Sequence, residues 1–292
     1  MKKQNQVKNY IALGAGAFLL YSGAAAASWP YHVDQATTYI GQIEADNNNY
    51  GTPSSLDYAA DGKLHALVQC STFVTLLLKN SYAQVTNDAL IALTGSSSPY
   101  ADEWYAAIKN QNADTGIGGS GLALQKRNKV SEIVKGDILA SQYTTSGNTG
   151  HVMIVDSIVL AKKDIQLPYL KPTDASVTYI PAIPNVSKVN RYLVKIHDST
   201  ESIHGNYAGN SYPDSRYQKQ WNGTAWEADN GIGTGYISVY ANADAGADNG
   251  KLVAWAWNAS ISTTSFYYAV TPPAGSTYDY RPMEAGYMTG IQ

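Results

Sequence analysis

The sequence predicts an α+β fold in which helices come first and strands follow. Apolar residues recur at helical spacing early in the chain, first as Tyr39, Ile40 and Ile43, then as Phe73, Val74, Leu77 and Leu78. From Gly136 onward, short apolar and aromatic runs bounded by turn residues take over. No internal repeat and no linker divides the chain, which favours one domain.

The 292 residues open on Lys2, Lys3 and Lys8, an apolar stretch from Ile11 to Gly23 and the small residues Ala24 to Ala27. These are the three parts of a secretory signal over residues 1–27. The apolar stretch is shorter than the roughly 20 residues a membrane span needs, and no later segment is long and apolar enough. The expectation is a domain over 28–292, located in the periplasm or outside the cell, with no membrane span after cleavage.

Asp34 is placed to cap the first helix, which ends at the turn-forming Asp46-Asn47-Asn48-Asn49. A polar approach from Gly51-Thr52-Pro53 leads to a helix beginning at Cys70. Asn87 to Leu93 and Tyr100 to Asn110 are the next helices. Residues 113–128 are glycine-rich and read as loop. Their Gly116-Ile117-Gly118-Gly119-Ser120-Gly121 matches a dinucleotide fingerprint by letter but follows no strand, so that reading is rejected. Strands are expected at Gly136 to Ala140, Gly150 to Val155 and Tyr192 to Asp198. A proline-rich excursion lies between the last two, over residues 160–190. Residues 235–240 and 252–257 read as paired strands around the turn 242–250.

The formal charge is -3, with basic residues scattered apart from Lys126-Arg127-Asn128-Lys129, a pattern that gives no sign of a nucleic-acid binder. Tyrosine occurs 23 times and tryptophan 6 times against 3 phenylalanines. Flat rings with a polar tip suit clefts that contact glycans or peptides, and tyrosine equally favours strands. Asp244 and Asp248 lack the rest of a calcium-ligand spacing, so no metal and no cofactor is expected.

Cys70 is the sole cysteine. An exported chain with one thiol cannot form an internal disulfide, and this thiol stands where a polar approach becomes a helix. A helix N-terminus lowers a thiol pKa and raises the thiolate fraction. A lone cysteine is otherwise a small core hydrophobe, so partners decide. Of the five histidines, His151 opens a strand after Thr149-Gly150 and is the best base. His65 is too close in sequence to Cys70 for its direction to be read, and His32 and His204 read as surface or packing residues. The group that orients His151 belongs on a neighbouring strand. His197 and Asp198 both end one, and because successive strand residues face opposite sides, one of them faces the cleft. Asp198 shares a face with Val194 and Ile196, though it is equally suited to cap the Ser199-Thr200 turn.

Gly51-Thr52-Pro53, Cys70-Ser71, Phe73-Val74, Gly136-Asp137-Ile138-Leu139, Gly150-His151-Val152 and Lys195-Ile196-His197 together resemble the NlpC-type cell-wall peptidases. These are papain-fold cysteine hydrolases. The resemblance runs over a core of about 51–199 and leaves 200–292 as a β-rich extension. Gln69 and Thr72 depart from the family's aspartate and glycine, and the intervals after Pro53 and after His151 are longer. The resemblance implies a helix-borne nucleophile packed on an antiparallel sheet or partial barrel, catalysis by Cys70 and His151, and a histidine at the position of His197. It places the family tyrosine best at Tyr58. The oxyanion and substrate group would then be the Cys70 backbone N–H with Tyr58, Gln69 or Ser71. The implied reaction is acyl transfer through a thioester, and the implied substrate a peptide or amide bond in peptidoglycan. Two alternatives stand beside it: an acyltransferase or amidase acting on another secreted substrate, and a glycan-binding protein that kept the fold and lost the chemistry.

Overall fold

The computed structural model describes residues 30–115, 119–144, 148–205, 211–221, 226–228, 230–261 and 265–291. The signal-peptide reading of 1–27 and residues 116–118 of the rejected fingerprint lie outside the described residues. Those described form a mixed α+β fold dominated by one antiparallel sheet.

Helix α1 (Tyr31–Gln42) begins after Pro30, four residues earlier than a cap at Asp34 predicts, and Asp34 sits in its first turn. The approach to Cys70 is not irregular. It folds into β1 (Asn48–Asn49), β2 (Ser55–Tyr58) and β3 (Leu64–Leu67), a small sheet ordered β1-β3-β2. Helix α2 (Cys70–Ser81) follows, then α3 (Asn87–Thr94) and α4 (Ala101–Asn110). The expected loop holds a strand, β4 (Ala123–Lys126). Next come β5 (Ile138–Gln142) and β6 (Gly150–Gln166). The excursion carries the paired β7 (Tyr169–Lys171) and β8 (Asp174–Ile180), and β9 (Lys188–Thr200) returns. Strands β10 (Tyr217–Trp221) and β11 (Trp226–Ala228) pair apart from the rest. The chain closes with β12 (Gly231–Asn242), β13 (Leu252–Ala256), β14 (Phe266–Tyr268) and β15 (Met283–Thr289).

The central sheet runs β14-β13-β12-β9-β6-β5-β15-β4. The segment after residue 200 is therefore not an appendage: it supplies one flank of the sheet and inserts β15 between β5 and β4. Alternation along the strands divides the core into two faces. Ile138, Ala140, Val152 and Ile154 meet Phe73, Val74, Leu77 and Leu78 of α2 and Trp104 and Ile108 of α4. Leu139, Met153, Val155, Val194, Ile196, Ile237 and Trp255 pack together on the other face. Each fully buried side chain of this size contributes about 1.5–3 kcal/mol. Burial on both faces is why residues 152–155 form an unbroken apolar run.

Helix α2 starts where it does because Thr72, in the third helical position, turns back on Gln69. Its hydroxyl accepts from the Gln69 backbone N–H at 2.9 Å. The N–H groups of the first turn have no partner within the helix, and Cys70 stands among them at the positive end of the helix.

Candidate active site

His151 and Asp198 face the same side of the sheet, and His151 Nε2 lies 2.7 Å from Asp198 Oδ2. Gly150 sets the start of that strand. Its φ is +142°, and a Cβ there would come within 1.9 Å of the Ser141 carbonyl oxygen. Only glycine brings the backbone this close. Cys70 Sγ lies 4.0 Å from the carbonyl oxygen of Gly150, the residue before His151, and the thiol is within electrostatic reach of the His151 imidazole. With Nε2 committed to Asp198, Nδ1 is the nitrogen left to serve the sulfur.

The electrostatics follow from this enclosure. Burial alone pushes the Cys70 thiol up, but the His151 charge and hydrogen bond, aided by the Val152 backbone N–H, bring it below its ordinary value. Burial also opposes a charge on His151. Cys70 and Asp198 outweigh it and raise its pKa from 6.5 to about 10. Burial likewise works against the Asp198 carboxylate, yet Arg216 and the two histidines beside it hold its pKa well below the usual carboxylate range. The three shifts run in the direction of a charged thiol, a charged imidazole and an ionised carboxylate.

Asp198, not His197, lies within hydrogen-bonding distance of His151. Strand parity turns His197 toward α1, where Nδ1 lies 2.9 Å from Thr234 Oγ1 and Nε2 lies 3.3 Å from Thr37 Oγ1. Burial holds its pKa down at about 4. The capping alternative for Asp198 also fails, since both carboxylate oxygens are engaged with His151 and Arg216.

Tyr58 is 54% exposed and its hydroxyl donates to Gln42. A tyrosine within electrostatic reach of the thiol is Tyr50. Burial, the Cys70 charge and Glu201 all push its pKa up. Tyr50 is fixed by its backbone N–H, which donates to Asn230 Oδ1 at 2.8 Å, and by the neighbouring Asn48 side chain, which bonds both the N–H and the carbonyl of Ile232. Its position directly before Gly51-Thr52-Pro53 was the available signal. Gln69 stands at the helix N-cap beside Cys70. Ser71 is buried and its carbonyl accepts from Thr75; none of its hydrogen bonds reaches the His151–Asp198 pair.

Four residues that sequence reasoning missed complete the surroundings. Arg216, fully enclosed, donates to the side chain and the backbone carbonyl of Asp198 and to both oxygens of Asp214. It fits because residue 233, opposite Asp198, is glycine: a Cβ there would lie 2.6 Å from the Arg216 side chain. Trp257 meets His151 edge-on at 5.0 Å between ring centroids. Tyr143, at the end of β5, lies within electrostatic reach of Cys70, and the Arg281 guanidinium stacks on its ring at 4.0 Å. No spacing rule links these residues to Cys70 along the chain. His32 is a packing residue as expected, bridging the Tyr82 hydroxyl and the Gly136 carbonyl. His204 is buried, but it stands against the site, its Nε2 3.1 Å from Asp198 Oδ2.

His151, Asp198 and His204 cluster closely enough to suggest a metal centre. Their spacing argues otherwise. Two donors on a tetrahedral zinc ion stand roughly 3.3 Å apart, given bonds near 2.0 Å, whereas 2.7 and 3.1 Å are hydrogen-bond and ion-pair distances. Arg216 further offsets the Asp198 charge that a cation would need. Asp244 is bonded to Ser187 and Asp248 is paired with Lys251.

No protein-family model matches the chain, and no solved structure matches it. The chain is similar to an uncharacterized protein, R653, of Acanthamoeba polyphaga mimivirus. The two are 26% identical over 208 residues, covering 69% of this chain and 72% of that protein.

Proposed function

We propose that this protein is a cysteine hydrolase of papain-like, NlpC-type architecture that cleaves an amide bond by Cys70–His151–Asp198 chemistry. The single observation that carries the reading is the His151 Nε2–Asp198 Oδ2 bond of 2.7 Å, made on the imidazole that polarises a helix-terminal thiol. The order of parts, nucleophile on the helix and base and orienting residue on adjacent strands, supports the same reading. The resemblance in sequence supplies the substrate class, a peptide or amide bond of peptidoglycan met outside the cytoplasm.

In the reaction, the Cys70 thiolate attacks the carbonyl carbon, and the oxyanion is held by first-turn backbone N–H and the Tyr50 hydroxyl. His151 gives its Nδ1 proton to the leaving amine, and a thioester remains. Neutral His151 then takes a proton from water, the hydroxide adds to the thioester, and collapse releases the carboxylic acid and the Cys70 thiolate, leaving His151 protonated. Asp198 fixes the imidazole's tautomer and supports its charge without taking the proton.

The test is digestion of purified cell-wall sacculi, with mass analysis of the fragments. New peptide termini that vanish with Cys70→Ala are expected. Fragment release unchanged in that variant contradicts the proposed nucleophile.

A further inference from the structure

His204 is held in place from three directions. Its backbone N–H donates to Asp214 Oδ2 at 2.7 Å, and its carbonyl accepts from Tyr236 N–H at 2.7 Å. Its ring lies flat on Trp257, with centroids 4.0 Å apart and planes 10° from parallel. The same ring stands edge-on to His151 at 5.7 Å. Nε2 is thereby brought to 3.1 Å from Asp198 Oδ2, the oxygen His151 uses, yet neither ring nitrogen is aligned for a hydrogen bond. An enclosed imidazole with both nitrogens unsatisfied is costly, and a leucine or phenylalanine would pack on Trp257 without that cost.

We propose that His204 is a positioning residue: its ring occupies the second approach to Asp198 Oδ2 and limits how strongly that carboxylate holds the His151 proton. The inference rests on the Cys70–His151–Asp198 reading and deepens it. A carboxylate crowded by a second N–H is a weaker acceptor for the first. His151 then surrenders its other proton, on Nδ1, more readily to the leaving amine. Burial keeps His204 itself neutral, its pKa below the ordinary value. The charged and titratable groups around it are Asp198, His151 and Arg216, with Asp214 behind its backbone and Cys70 and Tyr50 beyond His151.

The experiment follows His151 by side-chain NMR titration in a Cys70→Ala background, which removes the thiolate's influence. His204→Phe keeps the flat stack on Trp257 and loses both nitrogens. His204→Gln keeps an N–H within similar reach of Asp198 Oδ2, and His204→Asn is too short to bring one there. The expected result is a His151 pKa about half a unit to one unit higher with Phe and with Asn, and near the parent value with Gln. If the Phe variant does not fold, the Asn and Gln pair reads the same difference. A His151 pKa equal in all folded variants overturns the proposal. Thiol alkylation of the parent protein keeps the two claims apart: an ordinary thiol profile there defeats the hydrolase reading, whatever His204 does.

Discussion

Arg216 grips Asp198 twice, through Nη2 to the carboxylate and through the same nitrogen to the backbone carbonyl at 2.9 Å. Its Nη1 reaches Asp214 at 2.9 Å, so one enclosed guanidinium sits between two enclosed carboxylates. This arrangement fixes where Asp198 points, and through it the plane of the His151 ring.

Replacing Arg216 by methionine removes the cation paired with the buried Asp214 and leaves the buried Asp198 with its histidine contacts alone. Breaking a buried pair in this way costs roughly 3–5 kcal/mol. Urea unfolding of Arg216→Met is expected to show a loss of that size, and Arg216→Lys little recovery, because lysine lacks the planar fork. A loss under about 1 kcal/mol, the range of exposed pairs, contradicts the account.

His32 and His197 give stability a sign with pH. Both are held from 6.5 down to about 4 by burial. Between these values the unfolded chain binds protons the folded chain refuses, so stability is full above pH 6.5 and is lost as pH falls toward 4. Each group contributes about 3 kcal/mol over that interval. Denaturant unfolding at pH 7 and pH 4.5 checks this, and His197→Gln is expected to remove about half of the difference, leaving the part due to His32. Equal stability at the two pH values contradicts it.

Strand parity separates the roles of two adjacent residues. Asp198→Asn is expected to lower kcat/KM by about 10²–10⁴-fold, since the His151 tautomer loses its partner. His197→Gln, facing Thr37 and Thr234, is expected to leave turnover of the same amide substrate within about threefold, a difference of less than 1 kcal/mol. The opposite ranking excludes Asp198 as the orienting group.

Tyr50 and Tyr58 form a similar pair. Removing one donor to an oxyanion costs about 10²–10³ in kcat. That loss is expected for Tyr50→Phe and not for Tyr58→Phe, whose hydroxyl meets Gln42. Equal effects of the two substitutions remove Tyr50 from the mechanism.

The helices, β6, β9 and the β12–β13 pair were legible because their apolar periodicity is decided by one buried face or by two. Cys70 and His151 were legible for a related reason: a helix N-terminus and a glycine-led strand leave local marks. What stayed hidden depends on partners distant in sequence. β15 becomes a strand by inserting between β5 and β4, a choice made by the sheet. β4 looked like loop because its four residues gain their pattern only against β15. Asp198 against His197 is a question of parity, and parity needs the register with β6 and β12 to say which face is which. Arg216 and His204 reach the site from the segment after β9, where only burial marks them. Tyr58 was misplaced because the β2–β3 hairpin, unseen in the sequence, carries it outward.

The most direct test of the central claim is the pH dependence of Cys70 alkylation by iodoacetamide, in the parent protein and in His151→Ala. With a thiolate paired to an imidazolium, the parent is expected to react well below neutral pH. The His151→Ala variant is expected to react only as the pH approaches the ordinary thiol range near 8.5. A parent profile that coincides with the variant's, rising only in that ordinary range, contradicts the account.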